Sequence, residues 1–400
     1  MATSLTVNEV GAVSPDFPAS RTSLKVLALF TGVGGIEKGL ELAGHHTVAA
    51  YEIDEAAKAV LRHRFPLVSV HDDILSLEGI DAAIDLVTAG FPCVDLSQAG
   101  PMVGLDGKSS GLIRHVLQVV ASSEVKNLLL ENVPFMLRLG KGAAMKEITE
   151  ALEHAGFRWA YRTIDARSFG IPQRRPRVIL YASRERDPRS VMFRDLAAEP
   201  RNERKPVVGT NTIGFYSTEG NTGSGLVCDA IPPLKPGSRL GIKSSPAILL
   251  PSGEVGTPTI ADAERLQGFE PGWTERAEGL GRNARWRLVG NAVNVRMSAW
   301  IGEGLATSSL AVVQEVAGAP VVDGSWPTAA WNVGDGPIGI NLPTHIDLVP
   351  LIPLEQFLTE PLVPLSYRAC HGFVTRAENR SLRFPLGFLD ALRSYRESIV

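Results

Sequence analysis

A chain of 400 residues, 44% hydrophobic and 21% charged with a mean hydropathy of +0.06, has the composition of an ordinary globular protein. It has room for roughly two or three domains, and the composition excludes disordered, collagenous and coiled-coil classes. Forty basic against 43 acidic side chains leave a formal charge of -3, so the whole molecule is not a polybasic nucleic-acid binder, although charge can be segregated locally. Cys93, Cys228 and Cys370 are too scattered for a disulfide framework. No secretory leader stands in residues 1–23 and no apolar run reaches the roughly 20 residues that cross a bilayer, so a cytoplasmic protein is expected.

After that polar lead, the apolar run 24–30 (LKVLALF) suits a buried parallel strand. A glycine-rich turn, 31–35, leads into helical spacing of Ile36, Leu40 and Ala43, and 47–53 reads as a second strand. The alternation continues with helices over 55–65, 111–122 and 145–155 and strands over 85–89, 127–130 and 177–181. It predicts an α/β fold on a doubly wound, mostly parallel sheet, whose ligands sit beyond the carboxyl ends of the strands. The loops 31–35, 91–100 and 131–137 are expected to line one crevice.

Beyond residue 183 the composition turns to Arg, Pro, Asn, Gly and Thr as far as 256, which predicts short strands with long loops. Over 158–205 there are 13 Arg and Lys against 6 Asp and Glu, a local surplus that suits phosphate, with a solvated loop region as the alternative. Helical patterns return over 261–266 and 293–305, and the proline-containing stretch 312–400 ends in a helix-like segment, 386–399.

Several residues carry chemistry. Residues 30–35 (FTGVGG) end a strand and open a helix, so Phe30, Thr31, Gly32, Gly34 and Gly35 let a ligand approach backbone N–H groups; a plain tight turn is the bland alternative. Glu52 ends the second strand, where a carboxylate can bond a ribose diol, and Asp73 with Ile74 follows at the next expected strand end. Together these fit a nucleoside-containing cofactor. Cys93 follows Pro92 in a loop suited to presenting a thiolate, whereas Cys228 and Cys370 read as packing residues. Glu131, Asn132 and Val133 place a carboxyl group in the same crevice, where partial burial raises its pKa and suits it to proton donation. Arg175 and Arg177 then come to the mouth of a further strand, where a guanidinium can grip a carbonyl or a phosphate. The histidines are dispersed and no zinc-ligand spacing is present, so no metal is expected.

In their order along residues 24–305 these blocks resemble the DNA cytosine-5 methyltransferases of bacterial type. Residues 30–35 resemble the S-adenosylmethionine loop, Glu52 the ribose acid with Ile53 beside the adenine, and Asp73-Ile74 the adenine pair. Pro92-Cys93 resembles the nucleophile motif, residues 131–133 the base-binding ENV, and Gln173, Arg175 and Arg177 the QxRxR block. Residues 264–269 (ERLQGF) and 290–293, with Asn291 and Val293 toward the cofactor, resemble the last two blocks.

The resemblance implies a Rossmann-like methyltransferase: a catalytic domain over 24–183, a target-recognition region over 184–256, a return to the catalytic domain over 257–311 and an extension over 312–400. It implies that Cys93 attacks C6 of a flipped-out cytosine while Glu131 protonates N3, with Arg177 on O2 and Arg175 supporting the loop or a phosphate. Pro92, Ser97, Asn132, Val133 and Gln173 would contact the substrate. C5 would then take the methyl group, leaving S-adenosylhomocysteine. Double-stranded DNA is the implied partner, with a cognate restriction endonuclease or defence system beside it and a location at the nucleoid. Two positions depart from the family pattern. Val94 replaces the usual Gln and removes a hydrogen-bonding contact near the base, and Ile53 stands where many members have an aromatic residue.

Arg184, Arg186, Arg189, Arg201, Arg204 and Lys205 are candidates for phosphate contacts. The extension is expected to pack as an extra subdomain, with Trp326, Trp331, Tyr367 and Tyr395 in its core. The alternatives are a transfer-RNA cytosine-5 methyltransferase on the same scaffold, an inactive DNA-binding accessory protein, and a nicotinamide or flavin oxidoreductase with a reactive cysteine.

Overall fold

The computed structural model describes residues 22–91, 108–219, 223–237, 244–281, 283–307, 316–322, 324–380 and 382–399. Its first half alternates as the sequence predicts: β1 (Lys25–Leu29), α1 (Gly35–Leu42), β2 (His46–Tyr51), α2 (Glu55–Arg64), β3 (Ser69–His71), β4 (Leu86–Gly90), α3 (Lys108–Ala121), β5 (Asn127–Asn132) and α4 (Ala143–His154). The strands β3-β2-β1-β4-β5 lie side by side and parallel. Asp54 caps α2 by accepting from the Ala56 and Ala57 N–H groups, two of the donors that a helix start leaves without intrahelical partners.

The other half of the ten-stranded sheet is antiparallel. β6 (Arg158–Asp165) and β7 (Pro176–Ser183) form a hairpin-like pair in which β7 inserts beside β5, so the sheet is mixed where the βα alternation suggested a mostly parallel one. The period rule passes over β6 because Arg162 interrupts its apolar pattern, yet Arg162 is 1% exposed. Strand β6 is covered on its outer edge as well, by residues from the far end of the chain.

Beyond the short α5 (Arg189–Met192), a second, five-stranded antiparallel sheet begins with β8 (Ile213–Phe215), β9 (Val227–Cys228), β10 (Ala247–Leu249) and β11 (Val255–Thr257). The chain then returns through α6 (Ile260–Arg265), α7 (Ala284–Asn291) and α8 (Val295–Ala306) to the main sheet. Helices α1, α5 and α8 pack on one face, through Ile36, Leu40, Val191, Met297 and Ile301. Helices α3 and α4 pack on the other, through Val116, Val120, Met145 and Ile148.

The extension contributes to both sheets. β12 (Ala319–Pro320), β13 (Ala329–Asn332) and β14 (Ile338–Ile340) lengthen the main sheet in the order β12-β14-β13, with Trp331 of β13 opposite Ala160 of β6. After α9 (Leu354–Phe357), β15 (Val363–Pro364) adds to the small sheet beside β11, and α10 (Tyr367–Glu378) and α11 (Phe388–Ser398) cover that sheet. Ile213, Phe215, Leu249 and Val255 thereby share one core with Phe373, Val374, Phe388 and Leu392. Trp331 and Tyr395 are buried and Trp326 is half-buried, while Tyr367 is exposed and stacks on His371. Among the described residues, no helix is long and apolar enough to cross a membrane.

Candidate active site

The parallel half of the sheet sets the site's geometry. Leu29 pairs with Tyr51, Tyr51 with His71, Leu29 with Ala89 and Gly90 with Glu131. The residues that follow the level of Leu29 therefore stand in one row at the carboxyl edge, Asp72, Glu52, Phe30, Gly90 and Glu131, with Asp73 one residue beyond. With neighbouring strands about 4.8 Å apart, the row spans about 19 Å, long enough for a nucleoside cofactor at one end and a base at the other.

The glycine loop is held from below and behind. Glu52 accepts from the Gly32 N–H at 2.7 Å through Oε2 and from the Asp54 N–H at 2.8 Å through Oε1, tying the first and second strand ends together. Burial raises the Glu52 pKa, against the pull of those two N–H groups. Gly34 has φ 84°, and a Cβ there would lie 2.4 Å from the Phe65 ring. A Cβ on Gly35 would lie 2.2 Å from the Val293 carbonyl oxygen, so only glycine lets the segment before α8 close on the loop. Val293 also approaches Gly90, whereas Asn291 is exposed at the end of α7. Trp273 stacks on Phe269 and donates from Nε1 to the Val33 carbonyl at 2.9 Å, so the 264–273 block buttresses the same loop. Ile53 is 71% exposed beside Glu52, Ile74 is buried, and Asp73 accepts from the Leu75 N–H at 3.0 Å. An uncovered apolar side chain flanked by two acids suits an adenosine.

At the other end of the row Glu131 is buried and pairs with Arg177, Nε to Oε1, at 2.8 Å. Burial raises the Glu131 pKa, opposed by the charges of Arg177 and Arg175. Glu131 Oε2 lies 3.5 Å from the Cβ position of Gly90, so this carboxyl faces the strand that leads into the Cys93 loop. Asn132 donates to the Phe91 carbonyl at 3.3 Å and accepts from the Val133 N–H, which clamps the two strand ends together. Pro92, Cys93, Val94 and Ser97 lie outside the described residues.

Two residues of the QxRxR block sit deeper than the crevice. Arg175 is 2% exposed and donates to the carbonyls of Leu234, Gly290 and Ala292. Gln173 is fully buried; its amide donates to the Leu266 carbonyl and accepts from the Leu234 N–H. Both lock the 231–235 segment and the last blocks onto the start of β7.

The arginine-rich band is corrected in the same sense. Arg184 donates to the carbonyls of Ser123, Val125 and Ala155, and Arg186 to that of Leu305. Arg189 pairs with Asp187, Arg201 with Asp347 and Arg204 with Asp229. Of the six candidates only Lys205 has no polar partner among the described residues. A guanidinium has five donors, and strand ends leave carbonyls that need them, so a surplus of arginine by count does not make a phosphate-facing surface.

Sequence reasoning passed over Glu37, in the first turn of α1. It is 3% exposed, its Oε1 is 3.5 Å from the Thr88 hydroxyl, and its Oε2 has no partner. Burial pushes its pKa up to about 7, with the Glu52 charge adding to the rise. Its one sequence signal is a carboxylate at a position whose neighbours Ile36 and Leu40 mark the buried face. The Arg287–Asp54 pair, joining α7 to the cap of α2, was equally illegible because 233 residues separate its members.

Residues 24–219 match the model of the C-5 cytosine-specific DNA methylase family. The chain is 47% identical over 365 residues to the Type II methyltransferase M2.BsuMI of Bacillus subtilis (strain 168), covering 88% of this chain and 93% of that protein. It is 34% identical over 166 residues to the Type II methyltransferase M.MspI of Moraxella sp, covering 41% of this chain and 40% of that protein. Among solved structures, the Entamoeba histolytica methyltransferase EhMeth superposes with a TM-score of 0.52 at 15% identity, over 71% of this chain and 98% of its own. The S. pombe Dnmt2 methyltransferase does so with a TM-score of 0.50 at 17% identity, over 70% and 98%. At those identities the likeness is one of fold. With nearly its whole length aligned to a type II methyltransferase at 47% identity, the chain belongs to the C-5 cytosine-specific DNA methylase family and is a DNA cytosine-5 methyltransferase.

Proposed function

We propose that this methyltransferase moves a methyl group from S-adenosylmethionine to C5 of a cytosine flipped out of double-stranded DNA, as the modification enzyme of a type II restriction–modification system with a cognate endonuclease. The observation that carries the reading is the buried Glu131–Arg177 pair facing Gly90, three residues before Cys93.

C6 of cytosine is a poor electrophile until N3 gains positive character. A nucleophile and an acid must therefore act on opposite parts of one ring. Cys93 is the nucleophile of the reading, bonding C6 while the C5=C6 electrons move toward N3. Glu131, whose burial favours the protonated form, delivers the proton to N3. Arg177, already against Glu131, orients that carboxyl and offers donors to the cytosine O2. Bound S-adenosylmethionine supplies an activated methyl on its sulfonium, which C5 takes. Loss of the C5 proton and expulsion of Cys93 then release 5-methylcytosine. Glu52, Asp73, Ile53 and Ile74 would hold the adenosine, the first through its ribose. Flipping is required because C5 and C6 are shielded within the stack.

The test is transfer of labelled methyl to unmethylated DNA and, separately, to transfer RNA, followed by nucleoside analysis. Label in 5-methyldeoxycytidine is expected from the wild type and none from Cys93→Ser. Label only in RNA, or full activity of Cys93→Ser, would overturn the proposal.

A further inference from the structure

The arginines of 184–204 have protein partners, Arg204 while still exposed, and besides Lys205 another basic group without a polar partner among the described residues lies on α10. Helix α10 buries Cys370, Phe373, Val374 and Ala377 against the small sheet. The opposite face carries Arg368, Gly372 and Arg376, which at intervals of four residues line up along the helix. Arg376 is held rigidly, donating to the carbonyls of Ser217 at 2.7 Å and Glu219 at 2.9 Å. Arg368 is exposed and has no polar partner among the described residues. Between them Gly372 leaves the helix face bare, and a Cβ there would lie 3.1 Å from Arg376 Nη1. Glycine inside a helix costs roughly 0.5–1 kcal/mol relative to alanine. At the N-terminal end of this face is a cleft of about 340 Å³ lined by Ser217, Thr218, Ser366, Arg368, Ala369 and Arg376.

The cleft is linked to the start of β7 through packed residues. Tyr216, the residue before Ser217, feels the charges of Arg174, Arg175 and Arg177. Its hydroxyl donates to the Pro233 carbonyl at 2.6 Å, and Lys235 lies over its ring. Leu234, between those two residues, is held by Gln173 and Arg175. A continuous set of contacts therefore runs from the β7 end of the active site through residues 233–235 and Tyr216 to α10.

We propose that this cleft grips a phosphate of the DNA backbone, with Arg368 as its principal contact, so that the extension is a working part of DNA binding. An exposed cation without a polar partner among the described residues, next to hydroxyl donors in an open cleft, matches a phosphodiester, and the Arg376 guanidinium and the Ser217 and Thr218 hydroxyls complete the set of donors. The proposal rests on the DNA-methylating activity and adds a contact outside the 184–256 region.

The test is binding of full-length protein to a fluorescent DNA duplex of mixed sequence, measured against salt concentration. Loss of one phosphate contact should lower the slope of log K against log salt by about 0.9, so Arg368→Ala should bind more weakly across all sequences with that smaller slope. KM for DNA should rise while kcat and S-adenosylmethionine binding hold. Arg393→Ala, on the same hairpin but paired with Glu378 and Asp390, should keep the wild-type slope. A steep wild-type slope left unchanged by Arg368→Ala would overturn the contact alone, as would an equal loss in both variants. A flat wild-type slope with no methylation of DNA would instead remove the activity on which the proposal rests.

Discussion

Replacing Glu37 by glutamine should remove a large pH dependence of stability, because this carboxyl lies deep in the sheet–helix interface. Glu37 is 3% exposed, with Oε2 unpartnered, and burial carries its pKa from 4.5 to about 7. The native protein keeps this proton until about pH 7, whereas the unfolded chain releases it near 4.5. Between those values the unfolded state binds fewer protons, so stability falls as pH rises: the contribution is complete below 4.5 and gone above 7. The difference of the two values, at 1.36 kcal/mol per pKa unit, corresponds to about 3 kcal/mol. Glutamine has the shape of the protonated acid and cannot ionise. Glu37→Gln should therefore match the wild type below that window and exceed it by up to about 3 kcal/mol above it. Urea unfolding on either side of the window measures this directly. Glu131, raised in the same direction, is present in both proteins and cancels in the difference, while the Glu52 charge acts on Glu37 within the same window. A stability difference that is equal at both ends of the window would refute the reasoning.

Two further outcomes follow from the site and from the small sheet. Glu52→Gln leaves one of the two loop N–H groups facing an NH2 instead of an oxygen, and should weaken S-adenosylmethionine binding by about tenfold or more, the equivalent of one hydrogen bond to a charged group. Calorimetric titration checks it, and an unchanged Kd would separate Glu52 from the cofactor. Deleting residues 362–400 strips β15, α10 and α11 from the small sheet and bares Ile213, Phe215, Leu249 and Val255, each worth about 1.5–3 kcal/mol when buried. The shortened chain should aggregate or bind a hydrophobic dye, and a soluble, cooperatively unfolding product would show that the sheet stands without its cover.

The parts of this protein legible before folding were those whose chemistry is written in neighbours. A run such as LKVLAL followed by glycines declares a strand and a ligand loop, because strand burial and turn geometry depend on a few adjacent residues. The order of the blocks from residue 30 to residue 293 likewise needed no coordinates, and it led to the family. The acids Glu52, Asp73 and Glu131 were found because parallel strands bring their ends to one edge, so a position just past each strand is enough to place them.

What stayed hidden depends on partners far away in the chain. Strand β6 looked unlike a strand because Arg162 is buried only once β13, some 170 residues later, closes the edge beside it. The arginines of 184–204 looked like a surface because their carbonyl and carboxylate partners lie on other elements. Gln173 and Arg175 carry a catalytic-looking pattern, yet the Gln173 amide and the two Arg175 Nη groups donate to carbonyls of loops at 234, 266 and 290–292. The extension looked like a separate unit because nothing local reveals that β13 pairs with β6, or that β15 and the α10–α11 hairpin finish the small sheet. Residue type and short spacing determine which chemistry a chain carries. Which groups remain free to use it is decided by long-range packing, where most buried donors and acceptors take the partners that the fold brings to them and a few, such as Glu37 Oε2, are left without one.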